Sequence, residues 1–91
     1  MSPSSAAHCK FISEPMGDKP ITAIPGIGPT CAAKFTNAGY EKANALFGKF
    51  LLLKKNKEGF IQFLKETGGM PEHHAKSVYE CFDEWSQIYL S

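Results

Sequence analysis

Apolar side chains recur along this chain at intervals of three and four, with no sustained alternation of apolar and polar positions. Glycine or proline breaks the pattern into short blocks, so the spacing predicts an all-α, compact five-helix domain rather than a sheet. SSAAHCKFISEP forms a first helix, with Ser4 or Ser5 as its cap and Pro15 ending it. MGDKP is a turn and ITAI a very short helical segment. PGIG then makes a hairpin into the helix PTCAAKFTNA, which Pro29 enters and Gly39 stops. A mostly apolar helix follows over residues 40–53, with a polar exit at 54–56. The next spans 57–66, brings Phe60, Phe63 and Leu64 to one face, and ends at Gly68 and Gly69. From Pro71 onward, Ala75, Val78, Phe82, Trp85 and Tyr89 mark one long amphipathic helix.

At 91 residues and 43% hydrophobic content, the chain has material for one modest core, so residues 1–91 read as a single domain with residues 1–4 as a mobile start. The aromatic residues fall at helical spacing, which suits core packing better than base stacking. Cys9, Cys31 and Cys81 are odd in number and far apart, which speaks against a disulfide framework and for a reducing compartment. MSPSSAA has no basic stretch leading into an apolar run, and LFGKFLLL is too short to span a bilayer.

Net charge is only +1 and every basic residue is lysine. Without arginine, the chain lacks the preferred bidentate ligand for base edges, so contact with nucleic acid falls to lysine and backbone amides. The charge is uneven. Residues 46–57 hold four lysines and no acid, whereas 58–91 hold six acids and two lysines.

The hairpin carries the clearest candidate chemistry. Gly26 and Gly28 admit backbone angles closed to other residues and let a bulky partner approach the peptide groups. Ile27 between them points back and locks the loop. The helix that follows begins with unpaired N–H groups and a partial positive charge, and Lys34 stands about a turn beyond them. Such a loop suits a sugar-phosphate backbone and is indifferent to base sequence. The same residues also serve as a plain helix–helix turn. No nucleotide-loop ending in GKS or GKT accompanies them.

ITAIPGIGPTCAAKF resembles a helix-hairpin-helix motif of DNA-binding proteins that ignore sequence. Together with FISEPMGDKP, KANALFGKFLLLKK and CFDEWSQIYL, it makes nearly the whole chain similar to the barrier-to-autointegration factor family. That resemblance implies a five-helix domain forming a symmetric homodimer that bridges two DNA duplexes. It also implies partners among LEM-domain proteins of the inner nuclear membrane, lamin and histones, and residence in the nucleus, at chromatin and the nuclear envelope, and also in the cytoplasm. Carried over by position, Gly26, Ile27 and Gly28 match the family's DNA-contacting hairpin, and Lys34 and Lys76 match basic positions that meet the backbone. Ser5 and His73 lie at ends of helices expected near the same DNA. The pattern departs at Ala7, Glu72 and His73, which weakens attraction for phosphate; His73 compensates when protonated.

ALFGKFLLL places apolar residues on nearly every side of its helix, which one small domain does not bury. A fully buried central helix is one reading. The other is a subunit interface through Leu46, Phe47, Gly48, Leu51 and Leu52, and in the family the matching glycine lies at the dimer contact. Ser2, Ser4 and Ser5 serve either as cap and tail or as phosphorylation sites, the latter implied by the family's release of DNA on N-terminal phosphorylation.

Enzymatic chemistry finds little footing. His8, His73 and His74 form no metal-ligand series, and His8 with Cys9 reads as a capping or partly exposed pair. Asp83 and Glu84 read as surface acids. No cofactor or metal is expected. A helical protein-interaction adaptor without DNA binding is the alternative function.

Overall fold

The computed structural model describes residues 6–90. Five α-helices follow in chain order: α1 (Ala6–Ile12), α2 (Pro29–Asn37), α3 (Ala43–Leu52), α4 (Lys57–Gly68) and α5 (Glu72–Tyr89). A single 3-10 turn, Ile21–Ala23, leads into the hairpin. Ser2, Ser4 and Ser5, and with them the expected cap of α1, lie outside the described residues.

The core is aromatic, and one ring organises it. Phe82, in the middle of α5, lies 6.1 Å from Phe11 of α1, 5.3 and 5.7 Å from Phe47 and Phe50 of α3, and 5.8 Å from Phe60 of α4. Edge-to-face and tilted pairs of this kind add to the gain from burying their apolar area. The amphipathic stripe read from the sequence is therefore the central contact face, with Ala75, Val78 and Phe82 fully buried. Trp85 also donates its indole N–H to the Glu14 carbonyl at 3.1 Å, tying the stretch after α1 to α5.

Three helix limits differ from the sequence reading. α1 ends at Ile12, before Pro15, with the Ser13 amide making the last helical bond, to the Cys9 carbonyl, and its hydroxyl donating to the Lys10 carbonyl. α3 begins at Ala43 rather than at residue 40. Tyr40 is used to close α2, its amide donating to the Phe35 carbonyl at 2.8 Å across Gly39, and Lys42 is drawn into an isolated bridge with Pro20. α4 runs on to Gly68, and the stop is Gly69 in the left-handed region at φ 66°.

Candidate nucleic-acid interface

The hairpin between the 3-10 turn and α2 is built from a short list of local causes. Ile24 and Ile27 are buried and bonded to each other, the Ile27 amide donating to the Ile24 carbonyl at 3.2 Å. Their anchoring turns the intervening backbone outward. Gly26 takes φ +93°, which side-chain-bearing residues rarely adopt, and lies against α5, where a Cβ would stand 3.6 Å from both the His74 carbonyl and a Val78 methyl.

Gly28 behaves differently from the expectation for it. Its backbone is extended, at φ −91° and ψ −176°, a conformation open to any residue, and nothing lies within 4 Å of where its Cβ would be. The subunit itself has no need of a glycine there.

Pro29 opens α2, so the helix's orphan donors begin after it. Among the described residues, the amide N–H groups of Gly26, Gly28, Thr30 and Cys31 have no acceptor; the first intrahelical bond at this end runs from Ala32 to the Gly28 carbonyl at 2.9 Å. These donors and the positive end of α2 lie along an exposed loop, an arrangement suited to anionic oxygens.

The charged residues are distributed around it unequally. Lys34 is exposed, with its ammonium over Gly69, within 2.6 Å of where a Cβ there would be. That is the C-terminal end of α4, where the helix dipole favours a cation. His73 and His74 are both exposed on the first turn of α5, with ring centroids 4.2 Å apart. Lys76 stands apart from the hairpin cluster. Its ammonium is 3.6 Å from Glu72, which Lys65 of α4 also holds at 3.2 Å. Lys65 first, and then Lys76, pull the Glu72 carboxyl below the usual carboxylate range. The repulsion expected from Glu72 is thus compensated within the subunit.

A second surface concerns α3. Phe47 meets Trp85 at 5.0 Å and Phe50 meets Tyr79 at 5.8 Å, so α3 packs on α5 through its aromatic side chains. This resolves the two readings of ALFGKFLLL residue by residue. Leu46 is fully buried and Phe47 only 7% exposed, so both belong to the subunit's own core and supply no surface for a partner. Gly48 is exposed with open space around it, and Leu51 and Leu52 are 40% and 73% exposed. Ile88 and Leu90, at the other end of this helix pair, are also exposed, and the sequence reading did not single them out. Their signal was present: both are apolar residues lying off the stripe of α5.

Other reactive groups are withdrawn. The Cys81 thiol is buried and pushed up to about 12 by that burial, which leaves it inert as a nucleophile. Buried His8 bonds Glu84 at 2.8 Å, linking α1 to α5. Among the described residues, no group of three or more His, Cys, Asp or Glu is placed to hold a metal, and no helix is long and apolar enough to cross a membrane.

The family model for barrier to autointegration factor matches residues 2–89, nearly the whole chain. The chain belongs to the barrier-to-autointegration factor family. It is 49% identical over 87 residues to barrier-to-autointegration factor 1 of Caenorhabditis elegans, covering 96% of this chain and 98% of that protein. It is 36% identical to the Homo sapiens factor, with the same coverage, and 36% identical to that of Drosophila melanogaster over 99% of this chain and all of the fly protein. Of the barrier-to-autointegration factor hairpin positions carried over from the sequence, Gly26, Ile27 and Gly28 form one loop, with Lys34 and His73 on the elements beside it. Lys76 falls on the flank facing α4, and Ser5 lies outside the described residues. The sequence reading gave the unpaired amides at the start of α2 without naming Thr30 and Cys31, since no residue type announces a backbone donor, and it did not place His74 beside the hairpin.

Proposed function

We propose that the amides of Gly26, Gly28, Thr30 and Cys31 are the DNA grip of this protein, with Lys34 and His73 at its edges. As a barrier-to-autointegration factor, the protein is non-catalytic: a dimer that binds and bridges duplex DNA and links chromatin to the nuclear envelope through LEM-domain proteins and lamin. It works in the nucleus, at chromatin and the envelope, and also in the cytoplasm. The observation that carries the residue assignment is the set of unpaired donors on an exposed loop whose apolar residues are sunk in the core. Backbone N–H groups fix register on the phosphates and read no bases, so binding is sequence-independent. Attraction here comes from amides and a helix end rather than from net charge, so a formal charge of +1 is compatible with it. A symmetric dimer carries two such loops, one for each duplex. Gly48, Leu51 and Leu52 are the surface that α3 offers to that dimer; Lys76, held by Glu72, adds only long-range attraction.

Gly28→Ala is the decisive test, because the subunit has room and backbone freedom for the methyl group. The variant is expected to melt like wild type yet bind random-sequence duplex at least tenfold more weakly, because the new methyl group holds the phosphate off the amides. Undiminished binding in a salt-matched anisotropy titration would remove the grip from this loop.

A further inference from the structure

The grip as described uses His73 only at its edge and leaves His74 out, and the placement of the pair gives both a role in it. His73 and His74 are exposed, their rings are 4.2 Å apart, and the His74 carbonyl packs against Gly26 itself. The first turn of α5, which carries both rings, is therefore the element against which the hairpin packs.

We propose that His73 and His74 act together as a proton-dependent phosphate contact, sharing about one proton when DNA is bound, so that this protein grips duplex more tightly as pH falls through the histidine range. The inference rests on the reading of the hairpin as the DNA site. An imidazole is the side chain whose charge changes between about pH 5 and 8. A phosphate beside it favours the protonated ring, and proton-linked binding follows. At 4.2 Å the rings disfavour a second positive charge on the pair.

The surrounding groups leave this charge room to act. On α5 itself, Glu72 precedes the pair, but Lys65 and Lys76 hold its carboxylate, and the Ser77 hydroxyl donates to the His73 carbonyl. From α2, Lys34 reaches Gly69. The hairpin, residues 24–28, contributes no titratable side chain. The third histidine, His8, is paired with Glu84 toward the other end of α5.

The sign follows from linkage. DNA raises the pair's affinity for a proton, so the complex holds more protons than the free protein. Affinity then rises as pH falls through the complex's proton affinity and levels off below that of the free protein. In general, a rise of about one unit in a group's proton affinity on binding gives about a sixfold gain over two pH units that bracket it.

The test is anisotropy of a labelled random-sequence duplex at constant ionic strength, at pH 6 and pH 8. Wild type, His73→Gln/His74→Gln, His73→Lys and Gly26→Glu are compared, with helicity confirmed by circular dichroism. Wild type is expected to bind about sixfold more tightly at pH 6. The double glutamine variant should match wild type at pH 8 and show no gain at pH 6; His73→Lys should bind tightly at both. Wild-type binding that does not change with pH, or a pH response that survives in the double variant and so belongs to another group such as His8, overturns the inference while leaving the hairpin assignment intact. If Gly26→Glu binds like wild type at both pH values, it is the hairpin reading that fails, and this inference with it.

Discussion

Gly26, Gly28 and Gly68 are three glycines with three different reasons, and substitution separates them. Gly26 is set by its backbone angle and Gly28 by nothing inside the subunit. Gly68 is set by packing: a Cβ there would collide with the Phe35 ring. That ring, on α2, is fully buried, and protein cores are packed closely enough that a displaced ring strains its neighbours. Gly68→Ala is therefore expected to lower stability by about 1–3 kcal/mol, the usual cost of overpacking a filled core. A urea midpoint unchanged at fixed protein concentration would show that Phe35 relaxes freely. Sequence reading took Gly68 and Gly69 together as a helix stop, and only Gly69 is one. The other is a contact between residues 33 positions apart in the chain, which no local pattern reveals.

At the scale of elements, the link between α3 and α4 shows where local reading succeeds and where it ends. A polar exit at residues 54–56 was legible from composition, but its conformation was not. Lys54 and Lys55 both take the left-handed region, at φ 57° and 60°, so that their amides close the end of α3 on the Leu51 and Phe50 carbonyls. Lysine is an unfavourable residue for that geometry. Lys55→Gly is expected to stabilise the protein by about 1 kcal/mol by removing that steric penalty. Asn56 then caps α4, its side chain accepting from the Gly59 amide at 2.6 Å. Asn56→Ala should cost about 1 kcal/mol. Opposite shifts of the two urea midpoints would confirm the geometry of this link, and equal ones would refute it. The start of α3 eluded sequence reading for a related reason: Lys42 bridges to Pro20, and the apolar period alone carries no record of that partner.

For the whole molecule, the hub around Phe82 was legible as a stripe, and the hairpin as a motif, because both depend on spacing along one segment. The division of α3 into an inner and an outer face depends on where α5 lies, so sequence left both readings of the helix open and grouped buried Leu46 and Phe47 with exposed Gly48, Leu51 and Leu52. On the reading proposed above, the outer face is the one offered to the dimer. With open space around Gly48, Gly48→Glu has nothing to collide with in the isolated subunit, and helix content by circular dichroism should be preserved. At a two-fold contact, the same carboxylate would be buried facing its symmetry mate, two desolvated like charges without partners. Sedimentation should then show a monomer where wild type is a dimer. Because the hairpin is untouched, one subunit should still bind a short duplex with an affinity within about threefold of wild type, but it should no longer bring two long duplexes together, since that requires two grips in one particle. A variant that keeps dimer mass would move the two-fold contact off Gly48. The exposed ends of the α3–α5 pair are then the next places to look: Leu52→Lys and Ile88→Lys distinguish them by which one lowers the mass.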